Sequence, residues 1–195
     1  MTFDAPTATL VAASIAGFLS LTNLVVSWRH RRSAEEREQY RGLLKPHVET
    51  LGANLHTLLA AAKVAGKRMD LDQPPDSWMT RSESAAKNLK DMVLKVKYPL
   101  WSVVDGLREL TRLPNWLRHV RDQAARRGML LAAAEALRSE VDTAIRNAFL
   151  SGVQPGHLQR WRVTKRTKEL RAVWLAGRPA EGSIANSDEA EDIDT

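Results

Sequence analysis

Histidine, carboxylate and hydroxyl side chains are the groups from which an active site would be built, and here they fall into no catalytic pattern. The five histidines are scattered, none in the HExxH spacing that sets two imidazoles and a carboxylate on one helical face around zinc. There is no GxSxG turn to present a nucleophilic serine, no glycine-rich phosphate loop and no cysteine. Asp70, Asp72 and Asp76 match a calcium loop only in their density of carboxylates. Counted from Asp70, the sixth position is Pro75 where glycine is needed, and the twelfth is Ser82 where a bidentate glutamate is needed. His119 and Asp122 sit one helical turn apart with no nucleophile near them and read as a surface contact. His47 and His56 read as ordinary helix residues, and Glu135 and Glu140 lie at a spacing that does not face them toward each other. The expectation is a protein that is not an enzyme and requires neither cofactor nor metal.

What these residue types could do instead is meet anions. All 29 lysines and arginines lie between residues 29 and 178, against 16 acids there, a net charge of +13. Residues 179–195 hold six acids and no base. A basic body with an acidic tail points to an anionic partner or surface, with the tail a potential competitor inside the same chain. Two clusters are the candidates for anionic-surface contact: Arg29, Arg31 and Arg32, and then Arg160, Arg162, Lys165 and Arg166. The second cluster lies in residues 157–176, where Trp161, Leu170, Trp174 and Leu175 supply apolar anchors. A basic helix with tryptophans can lie on an anionic membrane, bind nucleic acid, or pack on a bundle with its bases in water. Its apolar positions form no single stripe, which favours packing.

Residues 8–28, ATLVAASIAGFLSLTNLVVSW, are the element on which position depends. The run is 21 residues without a charge, about 31 Å as a helix, close to the hydrocarbon thickness of a bilayer. A cleaved signal peptide fits less well, because residues 1–7 carry no Lys or Arg and the apolar run is long. A buried core helix also fits less well, since the run lacks a clearly polar face. The prediction is a transmembrane helix with Trp28 at the interface. Three arginines within the next four residues place the N-terminus outside and residues 29–195 in the cytoplasm, in a cell (inner) membrane. Thr9, Ala13, Ala16, Ser20, Asn23 and Ser27 fall on one stripe of small and polar residues. Ala13, Ala16, Ser20 and Asn23 are therefore candidates for self-association within the membrane.

The remainder reads as helical. Residues 29–45 form a charged juxtamembrane stalk in which glutamates alternate with arginines at i,i+3 and i,i+4. Pro46 opens or kinks the next helix, whose stripe is Val48, Leu51, Leu55, Leu58 and Ala62. Residues 65–77 read as a loop, with Gly66 and the Pro74–Pro75 pair as breakers. A run over 78–112 carries Ala85, Leu89, Met92, Val93, Val96, Leu100, Val103, Leu107 and Leu110, divided or kinked by Pro99, and its lysines read as a solvated face. A helix over 114–127 starts at Pro114 and stops at Gly128. The strongest element is 129–151, with Leu130, Ala134, Leu137, Val141, Ala144 and Ala148 at heptad spacing and Gly152 as its C-cap.

Together these give an all-α chain: residues 1–7 outside, a single span over 8–28, the stalk, an antiparallel bundle of about four to five helices over 46–176, and a disordered acidic tail over 177–195. The predicted function is a single-pass membrane-anchored scaffold or interaction protein. The alternatives are a membrane-tethered nucleic-acid binder and a small membrane-perturbing effector of lysis or defence. The predicted partners are the bilayer itself, a second copy through the span, anionic lipid, less favoured nucleic acid, and a protein whose identity the sequence does not give.

Overall fold

The structure, a computed structural model, describes residues 5–96 and 100–176; of residues 5–19 and 21 it describes the backbone alone. Every described element is helical: α1 (Ala5–Asp70), α2 (Asp76–Val96), α3 (Val104–Thr111), α4 (Leu113–His119), α5 (Ala124–Ser151) and α6 (His157–Leu175).

The stripes predict the core closely. Leu51, Leu55, Leu58 and Ala62 of α1 are buried, as are Ala85, Leu89, Met92, Val93 and Val96 of α2. In α5 the whole heptad series from Leu130 to Ala148 is buried and Ile145 joins it. Apolar side chains at three- and four-residue spacing leave water together, which is the main term holding such helices to one another.

Specific contacts fix the directions. Ser82 Oγ donates to the Leu58 carbonyl at 3.3 Å, and Asn54 Nδ2 reaches the Met92 sulfur at 3.4 Å. As residue number rises in α2 it falls in α1, so the pair is antiparallel. Likewise α5 runs against α1: Arg127 pairs with Asp70, Lys63 Nζ lies 3.1 Å from Glu135, and Arg41 donates to the Leu150 carbonyl at 2.8 Å. Helix α6 then returns along α5 and α3, with Val163 against Gly106.

Three predicted boundaries are corrected. Pro46 neither starts nor breaks a helix; it lies inside α1, which runs for 66 residues. Its missing donor leaves the carbonyl of Gly42 unbonded along the helix, but both residues are exposed, and fully buried Leu44 and Leu51 hold the two flanks to the core. The loop predicted over 65–77 shrinks to residues 71–75. Helix α1 ends in a Schellman turn, with Gln73 N–H donating to the Arg68 carbonyl at 2.8 Å and Asp72 N–H to Met69 at 3.3 Å. Asp72 takes the left-handed position at φ 51, a conformation aspartate tolerates. The helix predicted over 114–127 ends at His119, and Gly128 lies within α5. The 78–112 run is divided between α2 and α3; Pro99 lies outside the described residues.

The N-terminal span is not supported in the form predicted. Among the described residues no helix is long and apolar enough to cross a membrane. In the part of residues 8–28 with described side chains, Ser20, Thr22, Asn23 and Ser27 interrupt Leu24, Val25, Val26 and Trp28, which lowers the mean hydropathy. The side chains of Ala13 and Ala16 lie outside the described residues. Helix α1 passes through this run and through the predicted stalk without interruption, so stalk and run are one continuous helix.

Glu135 links α1 to α5 and carries a pH dependence. Burial pushes its carboxyl up, but the Lys63 hydrogen bond and the Arg138 and Lys63 charges outweigh it and hold the group below its ordinary value. A depressed carboxylate stabilises the fold above its unfolded pKa, and that contribution disappears as pH falls through the folded value. Because the side chain is 35% exposed, screening limits the effect to about 0.5 kcal/mol. Glu135→Gln is therefore expected to lower the melting temperature slightly near neutral pH. In thermal melts across pH, the gap to the parent chain should close below the ordinary carboxylate range.

Candidate functional site

Two regions bring charged residues together. The first is the end of the bundle where α1 enters it. Gly152, at φ 67, seats the α5–α6 turn directly on the α1 backbone at Arg37. Arg37 lies nine positions beyond Trp28, about 14 Å along the helix. Around this turn Leu150, Val153, Leu158 and Trp161 are exposed, an apolar set rimmed by cations.

The predicted anion-contacting residues divide here. Arg29, Arg31 and Arg32 are all exposed; Arg32 pairs with Glu36 at 3.1 Å and stacks over Trp28 at 5.5 Å. Arg160 is partly buried, its guanidinium 4.0 Å over the Trp101 ring, whose Nε1 donates to Gln154 at 2.6 Å. Lys165 lies over Trp161 at 5.4 Å, Arg166 bonds Glu169 at 2.7 Å, and Arg162 is exposed. Ser20 and Asn23 of the small-residue stripe are exposed. Helix α6 packs inward through Val163, Thr167 and Leu170, while Trp161 and Leu175 face out.

The second region is a cavity of about 1120 Å³ between α2, α3, α4 and α6. Its walls carry Lys87 and Lys90 from α2, Arg108 from α3, Arg112 from the junction of α3 and α4, and Arg171 from α6. Glu109 lies at its base, 1% exposed, accepting from Arg112 Nη1 at 3.1 Å and from Arg171 Nε at 2.7 Å. A buried carboxylate needs such partners, since an unpaired one would be costly. Glu83 is engaged by Arg118 at 2.6 Å. Five cations thus face two carboxylates, both already bonded, and no carboxylate among the described residues comes within ion-pair distance of Lys87 or Lys90.

One end of the groove is aromatic. Trp116 and Trp174 stack with ring centres 5.2 Å apart and planes 12° from parallel. His119 meets the Trp174 edge at 5.7 Å, and its Nδ1 donates to the Asn115 carbonyl at 2.8 Å. The predicted surface contact with Asp122 is not the partner His119 uses. Among the described residues no cluster of three His, Asp or Glu side chains is placed to hold a metal ion.

The sequence singled out His119, Trp174, Leu175 and the lysines of the 78–112 run separately, and assigned none of them to a common site. Lys87 and Lys90, Arg108 and Arg112, and Arg171 and Trp174 each lie three or four residues apart, so each pair shares a helical face. That spacing was the available signal; the convergence of three faces is a tertiary fact. The chain matches no protein-family model, no curated protein and no solved structure with which it was compared.

Proposed function

We propose that the chain is a non-catalytic, membrane-anchored helical interaction protein. Residues 8–28 insert as a single pass with the N-terminus outside, and the bundle is held against the cytoplasmic face of a cell membrane. The observation that carries this reading is exposed apolar surface on α1: Leu24, at 68% exposure, with Val25, Val26 and Trp28. An exposed apolar cluster of this kind favours a nonaqueous neighbour. Arg29, Arg31 and Arg32 follow it immediately, where cytoplasmic anionic headgroups would meet them. The α5–α6 turn, about 14 Å further along the helix, then sets Leu158, Trp161 and Arg162 facing the same headgroups. Exposed Ser20 and Asn23, with Ala13 and Ala16, offer the face for a second copy.

Alkaline carbonate washing of membranes tests the reading. The full chain is expected in the pellet, and the Leu24→Arg, Val25→Arg variant in the supernatant; release of the unmodified chain by carbonate would refute insertion. Because the chain has no cysteine, a single one placed at Thr2 reports sidedness: an impermeant maleimide should label it from outside intact cells. Cross-linking in detergent should give a dimer that Asn23→Leu reduces.

A further inference from the structure

The groove walled by Lys87, Lys90, Arg108, Arg112 and Arg171 lies at the place where the chain leaves the bundle. Helix α6 ends at Leu175, and Trp174 and Leu175 themselves line the groove. Only three residues, 176–178, separate that rim from the segment 179–195, whose six acids are Glu181, Asp188, Glu189, Glu191, Asp192 and Asp194. The charges are complementary: the groove's own carboxylates are occupied by Arg112, Arg118 and Arg171, which leaves the field at its mouth positive. Seventeen residues can extend for about 55–60 Å, so even the distal acids reach across the groove. A tether this short holds a ligand near its site at roughly millimolar effective concentration.

We propose that the groove is a docking site for acidic polypeptide and that the chain's own residues 179–195 occupy it in cis, excluding acidic segments of other proteins. The carboxylates pair with Lys87 and Lys90, which have no partner carboxylate among the described residues, and with the outward donors of Arg112 and of Arg108, whose Nη1 also lies 3.7 Å from Asp105. The stacked Trp116–Trp174 pair closes one end and limits how far the peptide extends. This inference does not depend on the membrane reading: the groove is on the face of α2, α3, α4 and α6 and needs no lipid.

The test uses the full chain and one in which the six tail acids are changed to their amides (E181Q, D188N, E189Q, E191Q, D192N, D194N). A fluorescein-labelled peptide of residues 179–195 is the probe, followed by anisotropy at low salt. The amidated chain is expected to bind the peptide at least tenfold more tightly than the parent chain, whose own tail competes. Raising the salt should weaken binding steeply. Adding Lys87→Glu and Lys90→Glu to the amidated chain should weaken it at least tenfold; both residues are exposed, so the fold should persist. Arg162→Glu with Lys165→Glu, on the outer face of α6, should leave it unchanged. Equal binding by the parent and amidated chains, absence of binding at low salt, or equal loss in both charge reversals would overturn the proposal. A single-stranded DNA of similar charge that outcompetes the peptide would overturn it in favour of nucleic acid.

Discussion

Replacing Gly152 by alanine is expected to destabilise the protein by about 3 kcal/mol, the sum of two independent penalties. The residue sits at φ 67, where a Cβ costs about 1–2 kcal/mol. The added Cβ would also lie 2.7 Å from Arg37 Cβ and 2.8 Å from the Arg37 carbonyl oxygen. The obstruction includes backbone, so rotating a side chain cannot relieve it; the α5–α6 turn must lift off α1. For a chain of this size the loss corresponds to about 6–12 °C in melting temperature. Gly128→Ala supplies the opposite expectation. Gly128 lies inside α5, and a Cβ there meets nothing within 4 Å, so helix propensity alone should stabilise by up to about 1 kcal/mol. Chemical denaturation of both variants would check the pair. A Gly152→Ala protein as stable as the parent would mean that the turn does not rest on α1 as described.

The difference between those glycines also shows what sequence could and could not convey. Gly128 and Gly152 were both read as stops, because Gly is a common C-cap. At Gly152 the reading agrees with the structure, since Gly152 N–H caps the Ala148 carbonyl at 3.0 Å. At Gly128 the packing of Arg127 and Leu130 on either side carries the helix through. Pro46 is the same case with a stronger breaker: buried leucines on both sides outweigh a local cost of about 3 kcal/mol. The apolar stripes were legible because burial acts on residues of one face of one helix, which periodicity records. In α6 the stripe was not legible because its buried set, Val163, Thr167 and Leu170, includes a threonine whose hydroxyl satisfies itself on the Val163 carbonyl at 2.8 Å.

The basic groove was invisible for a different reason. Glu109 follows Arg108 and precedes Leu110 in an ordinary amphipathic run, and its side chain reads as a solvated one. Its burial arises only when Arg171, 62 residues away, is brought against it. Likewise Trp116 and Trp174 look like separate anchors until α4 and α6 meet. Spacing reports what shares a face, whereas a site made by four helices requires their crossing geometry, which spacing does not encode.

Asp70 illustrates the same limit and gives the second large effect. Read as part of an acidic loop, it is instead the partner of Arg127, whose side chain is 3% exposed while that of Asp70 is 50% exposed. Arg127 also donates from Nη1 to the Val120 carbonyl at 3.3 Å and to the Arg121 carbonyl, joining the end of α1 to the stretch between α4 and α5. The exposure asymmetry fixes the asymmetry of the mutants. Asp70→Ala leaves a buried guanidinium without its counter-charge and should cost about 3 kcal/mol. Arg127→Met keeps the apolar stem and leaves a carboxylate that water already reaches, so it should cost only about 1–2 kcal/mol, mainly for the two carbonyls deprived of a donor. The double variant should then be more stable than Asp70→Ala alone, because the stranded charge is gone. A double-mutant cycle by chemical denaturation measures all three. If Asp70→Ala cost no more than Arg127→Met, the arginine would be hydrated in solution and α1 would not be fastened to α5 at this end.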